Sequence, residues 1–152
     1  MIKLRLFIIT IIIIIFTGCS SVPRFTSNNY KNEELKNSED FSAYENYSSL
    51  ETVYGIASFY ADKYHGRITY GGEIYDMNKI SAAHPVYPMN TIVRVTNLSN
   101  NKKVILRIND RMPKYDDRII DLSLAAAKAL DFVEAGLAKV KIEVLEWGKG
   151  KK

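Results

Sequence analysis

The stretch "TIVRVTNLSNNKKVILRIND", Thr91 to Asp110, decides the fold. Two runs, Thr91–Leu98 and Lys102–Asn109, are rich in valine, isoleucine and threonine. Such branched side chains suit a pleated, half-buried surface. Between them Ser99-Asn100-Asn101 is polar and tolerant of left-handed backbone, so the runs read as two strands of a hairpin. Asp110 follows the apolar run "VILRI", which puts its carboxyl group at the margin between core and solvent. A carboxyl group there suits general acid work.

Working outward, "VYGIASFY" (Val53–Tyr60) and "RIIDL" (Arg118–Leu122) are further short strands. "VKIEVLEW" (Val140–Trp147) alternates, with Val140, Ile142 and Val144 on one face. One helix is expected: Ser123 is placed to cap "LAAAKALDF", and Gly136 lies beyond its end. Short strands at regular spacing with one helix argue for an all-β protein built on a small barrel. Periodicity leaves the kind of barrel open.

The chain is 152 residues long. Residues 1–18 read as an export signal: Lys3 and Arg5, then an apolar stretch, Leu6 to Phe16, about half of what a spanning helix needs. It ends in "FTGC", which resembles a bacterial lipobox, although Phe16 stands where leucine is usual. On that reading Cys19 is lipidated and anchors the chain to a membrane; the alternative is an ordinary signal with an incidental cysteine. Cys19 is the sole cysteine, so no disulfide within the chain and no multi-thiolate metal site is available. Residues 19–52 read as the lipidated cysteine and a disordered linker, poor in aliphatics and without periodicity, spanning about 30 Å. Residues 53–147 form the compact domain, and 148–152 a basic, frayed tail. The domain carries 13 Lys/Arg against 11 Asp/Glu, too even a balance to argue for nucleic acid.

Three polar segments stand out: "HGRITYGGEIYD" (His65–Asp76), "SAAHP" (Ser81–Pro85) and "NDRMPKYDDR" (Asn109–Arg118). Glu73 follows Gly71-Gly72 at a loop edge, and His84 follows the small pair Ala82-Ala83. Two carboxylates and an imidazole suit glycoside or acyl chemistry. The plainer reading is that Asp110, Asp121 and Arg118 cap turns and form salt bridges, and that the histidines are structural. No phosphate-binding glycine loop is present.

Taken in order, "ASFY", "HGR.T..GE.YDM", "AAH...P..T.VRVTNL.N", "V.LRINDR.P" and "R.IDLS..AA..L" closely resemble the rare lipoprotein A (RlpA) family, from Gly55 to about Leu145. The resemblance implies a six-stranded double-psi β-barrel and, in active members, a lytic transglycosylase of bacterial peptidoglycan. It implies Asp110 as the catalytic acid/base, with Glu73 and His84 as supporting catalytic groups. Tyr64, His65, Arg67, Tyr75 and Arg111 are expected to touch substrate, with Tyr87 a further rim candidate. No cofactor and no metal are implied. The implied partners are peptidoglycan glycan strands and a membrane, reached through the lipid on Cys19, with the chain a monomer on the periplasmic face of the outer membrane. Rival readings are an expansin-like protein that binds glycan without cutting it, a hydrolase with Glu73 as base to a water, and a divalent-metal site formed by His84, Glu73 and Asp110. Two departures from the family pattern stand out. Met112 replaces a frequent glycine, which would strain the chain if φ is positive there. "TYGG" replaces the commoner "TANG" before Glu73.

Overall fold

The computed structural model describes residues 40–60 and 62–150. The signal, Cys19 and the linker as far as residue 39 lie outside the described residues. Six strands close into a barrel: β1 (Glu51–Phe59), β2 (Ala82–Ala83), β3 (Ile92–Asn97), β4 (Lys103–Asp110), β5 (Arg118–Leu122) and β6 (Ala138–Glu146). Their order around the barrel is β1-β5-β2-β4-β3-β6. The hairpin expected from Thr91 to Asp110 is β3 and β4, paired antiparallel with Val95 opposite Val104. Its turn uses the expected chemistry: Asn101 is left-handed at φ 59°, and the Asn97 side chain accepts the Ser99 N–H at 3.0 Å.

Two pairs are parallel, β1 with β5 and β2 with β4, while the rest run antiparallel. This crossed pairing is the double-psi barrel that the resemblance implies. β2 escapes periodicity because it is two alanines long. Its position matters more than its length. Ala83 pairs with Asp110 of β4 on one side and with Asp121 of β5 on the other.

The barrel is filled by one contiguous cluster, including Val93, Val95, Leu106, Ile108, Ile120, Leu122, Val140, Ile142 and Val144, all fully buried. The alternation expected in β6 is therefore the inward face of the strand. Helix α1 (Leu124–Ala129) is capped by Ser123, whose Oγ accepts the Ala126 N–H at 3.2 Å. Ala126 and Ala127 are buried, which lets the helix approach the barrel closely. It stops short of Phe132 because Asp131 takes φ 57°, outside the right-handed helical region.

Two boundaries differ from expectation. The C-terminal part of the expected linker is ordered: Ser42–Tyr44 forms a 3₁₀ turn, and β1 starts at Glu51. Phe41 and Tyr44 pack on Ile92, Ile105 and Leu145, a small apolar cluster apart from the barrel core. Arg94 ties the segment down through the carbonyls of Tyr44 (3.0 Å) and Glu45 (2.7 Å). At the other end, Gly148 N donates to Thr91 Oγ1 and Gly150 N to the Met89 carbonyl, so the tail is held as far as residue 150.

Candidate active site

Asp110 is the last residue of β4, and its carboxylate is an acceptor three times over. Oδ2 accepts the Tyr60 hydroxyl at 2.8 Å; Oδ1 accepts the backbone N–H of Tyr70 at 2.7 Å and that of Arg111 at 2.8 Å. Tyr60 follows β1 directly, and burial next to Asp110 raises its pKa so far that it stays a hydrogen-bond donor at any relevant pH. The Asp110 side chain faces a groove of about 600 Å³.

Asp121 lines the same groove. It accepts a short hydrogen bond from Ser58 Oγ and forms an ion pair with Arg118 Nε at 3.1 Å. Because β2 lies between β4 and β5, the backbones carrying the two aspartates stand two strand spacings apart, roughly 9–10 Å. From sequence Asp121 reads as a capping or salt-bridging residue, and its ion pair with Arg118 is present. Both residues also line the groove. The signal that could have found it is a second aspartate near the end of an apolar strand, "RIIDL", as Asp110 ends "VILRIND".

Glu73 and His84 are not part of the groove lining. Glu73 belongs to a small hairpin, residues 66–75, which carries an isolated antiparallel bridge between Ile68 and Ile74. Arg107 grips its carboxylate with both nitrogens, at 2.7 and 2.9 Å, and Asn109 Nδ2 adds a third bond at 3.0 Å. These bonds, Arg107 foremost, lower the Glu73 pKa and keep it ionised. No hydrogen bond joins Glu73 to Asp110. Instead it clamps the hairpin whose Tyr70 N–H meets Asp110 Oδ1. Gly71 completes the clamp: its N–H meets the Asn109 carbonyl at 3.1 Å, and a Cβ there would lie 2.6 Å from that oxygen.

His84 is buried and stacked on Tyr87, with ring centroids 3.6 Å apart. Its Nδ1 accepts the N–H of Val86 at 3.3 Å and of Tyr87 at 3.0 Å, so the neutral ring carries its proton on Nε2. Burial, with the nearby Arg111 charge, lowers its pKa to about 4. Its link to Asp110 runs through the backbone, His84 N to the Asp110 carbonyl at 3.3 Å. The expected three-residue cluster is thus one groove acid with two groups that brace the elements beside it. Among the described residues no set of His, Cys, Asp and Glu side chains is placed to hold a metal ion.

The remaining expectations divide. Tyr64 and Arg67 line the groove, with the Arg67 guanidinium 5.4 Å from the Tyr64 ring centroid. Arg111 also lines it, but its Nη1 is spent on the carbonyls of His84 and Tyr87, both at 2.8 Å, and its guanidinium lies over the Tyr70 ring. His65 is outside the lining; its Nδ1 accepts the Met77 N–H at 3.3 Å and shapes the loop. Tyr75 also lines the groove, but it is 4% exposed and packs against Tyr60, so it forms part of the groove floor. Tyr87 is likewise buried, its hydroxyl bound to Glu51 at 2.5 Å. Met112 is buried, and positive φ at non-glycine positions among the described residues is confined to Asn90, Asn101 and Asp131, so the feared strain does not arise.

A closed, crossed barrel with two aspartates in an open groove defines a double-psi β-barrel protein. Comparison with known proteins agrees. The lytic transglycolase family matches residues 52–142. The endolytic peptidoglycan transglycosylase RlpA of Campylobacter jejuni is 50% identical over 98 residues, covering 64% of this chain and 36% of that protein. The RlpA of Pseudomonas aeruginosa is 53% identical over 92 residues, covering 60% and 27%. Among solved structures, a Streptomyces papain inhibitor has a TM-score of 0.54 at 19% identity, covering 66% of this chain and all of that one. A Clavibacter michiganensis expansin has a TM-score of 0.52 at 19% identity, covering 66% and 53%. The two structures share the fold. The chain belongs to the lytic transglycolase family. It spans between about a quarter and two fifths of the length of the curated relatives it matches.

Proposed function

We propose that this protein is an endolytic peptidoglycan lytic transglycosylase that cleaves the MurNAc–GlcNAc β-1,4 bond and leaves 1,6-anhydroMurNAc ends. The observation that carries the reading is Asp110: an acid at a strand end, held by three donors, facing a groove in a barrel of this family. In this reading Asp110, protonated, gives its proton to the leaving glycosidic oxygen. The resulting carboxylate then takes the proton of the MurNAc C6 hydroxyl as that oxygen closes on C1. No water is consumed, because the intramolecular hydroxyl has a high effective molarity. Tyr60 and the two backbone N–H groups fix the carboxylate and stabilise it once the proton has left. Asp121 stands in the groove to stabilise positive charge developing at the anomeric carbon. Glu73 and His84 act through position, by holding the hairpin and the loop beside Asp110.

Asp121 also favours a second reading. A hydrolase needs a second carboxylate to activate water, and Asp121 lines the groove where Glu73 does not. Mass analysis of the products from purified peptidoglycan separates these readings. Anhydro ends support the lyase, reducing ends the hydrolase, and intact strands the expansin-like binder. Replacing Asp110 with Asn is expected to lower cleavage by about 10²–10⁴ with the melting temperature unchanged. Activity within about tenfold of wild type would remove Asp110 as the acid.

The envelope location belongs to the same proposal: Cys19 lipidated, palmitate-type chains in the outer membrane, the barrel monomeric in the periplasm and engaged with glycan. The lipobox-like "FTGC" supports it, together with the lack of an aspartate after the cysteine, where Ser20 stands.

A further inference from the structure

The hairpin of residues 66–75 has two faces. Thr69 and Tyr75 point inward and are buried, and Glu73 turns to Arg107. The other face carries Ile68, 76% exposed, and Ile74, 72% exposed. The two are direct cross-strand partners. The flanking bonds, Thr69 N to the Glu73 carbonyl (2.7 Å) and Tyr75 N to the Arg67 carbonyl (2.8 Å), make theirs a non-hydrogen-bonded pair. Side chains of such a pair stand closest together, so the isoleucines form one continuous apolar surface. Folding does not explain it, since the solvent face of a two-stranded ribbon is ordinarily polar. Nor is the hairpin loose: Glu73, Gly71 and Tyr70 all pin it to the end of β4. Ile68 lines the groove that holds Asp110.

We infer that Ile68 and Ile74 form a subsite for the acetamido methyl groups of an N-acetylated glycan strand lying in the groove. The inference rests on the proposed glycan reading and adds what part of the sugar is read. Three observations favour this occupant. The surface is continuous with the groove through Ile68. Its side chains are branched alkyls, which fit methyl groups, whereas sugar ring faces favour aromatic partners such as the neighbouring Tyr64. And it is held rigidly at a fixed distance from Asp110 by the Tyr70 N–H bond, so it can set which sugar enters beside the acid.

The test uses soluble peptidoglycan glycan strands, fully N-acetylated or chemically de-N-acetylated and then charge-neutralised by formylation. Binding is measured on the Asp110→Asn background, so that cleavage plays no part. The acetylated strand is expected to bind the Asp110→Asn protein more tightly than the formylated one, roughly fourfold for each methyl group buried. The further change Ile68→Thr with Ile74→Thr keeps β-branching and is expected to erase that preference, so that the two strands bind it equally. Equal affinity of the Asp110→Asn protein for both strands overturns the inference. So does a double threonine variant that keeps the preference, or one that loses binding to phosphatidylethanolamine/phosphatidylglycerol vesicles while glycan binding is untouched. If wild-type protein yields no cleaved products but the threonine-sensitive preference is found, the lyase reading falls and this inference stands.

Discussion

On the proposed reading the chemistry turns on Asp110 and the Tyr60 hydroxyl that donates to it. Burial keeps the Tyr60 hydroxyl protonated, so it is a permanent donor to Asp110 Oδ2. A hydrogen bond to a charged group contributes about 1.5–3 kcal/mol. Replacing Tyr60 with Phe is therefore expected to lower kcat by about tenfold to a hundredfold, with KM little changed, as read from single-turnover cleavage of glycan strands. A KM effect alone would mean that Tyr60 serves binding. His84 offers a test of a different kind. Its folded pKa of about 4 lies below the ordinary histidine value of 6.5. Between those two pH values the unfolded chain binds a proton that the folded protein refuses, so stability is complete above about pH 6.5 and declines as pH falls toward 4. The full loss is roughly 3 kcal/mol from a shift of this size. Urea denaturation from pH 7 to pH 4.5 is expected to show that slope, and a His84→Gln variant is expected to flatten it. An unchanged slope in the variant would assign the pH dependence to other groups.

Among the elements, the hairpin of residues 66–75 is the one that ties Glu73 to the end of β4 beside Asp110. Glu73 resembles a catalytic carboxylate in sequence, yet its charge is absorbed by Arg107 and Asn109. On the proposed reading it acts on Asp110 through the hairpin backbone, whose Tyr70 N–H meets Asp110 Oδ1. Replacing Glu73 with Gln is thus expected to cost activity by about tenfold, well short of the loss at Asp110, and to speed amide hydrogen exchange over residues 66–75. A loss equal to that of Asp110→Asn with unchanged exchange would give Glu73 a direct role. The Ala82-Ala83 strand works in a similar way. Two alanines look like space beside a histidine, but they are the ladder that sets Asp110 and Asp121 on either side of Ala83.

For the whole molecule, the barrel is joined to what precedes it by an ordered clasp. Phe41 and Tyr44 cover Ile92, Ile105 and Leu145, and Tyr44 OH donates to Glu146 Oε2 at 2.7 Å. On the proposed anchoring at Cys19, fewer residues separate the anchor from the domain than composition suggests, because Phe41 and Tyr44 belong to the domain. Replacing Cys19 with Ala is expected to release the protein into the soluble fraction. Sedimentation of the variant with membranes at high salt would show that something else holds it.

Much of this architecture was legible in the residues. β3, β4, β5 and β6 show in branched alternating runs, and the helix shows in Ser123 and the alanines after it, because these are local preferences repeated over several positions. The motifs from "ASFY" to "R.IDLS" carry the family and hence the barrel. Tertiary structure alone decided which partners the polar residues meet. Glu73, His84 and Asp110 look alike in sequence as polar groups at loop edges and strand ends. Whether a carboxylate meets a groove or a guanidinium depends on which strand lies beside it, and crossed parallel pairing sets that between segments far apart in the chain. The clasp at Phe41 escaped for the same reason: two aromatic residues in a polar segment declare nothing until the apolar patch they cover has been assembled from β3, β4 and β6.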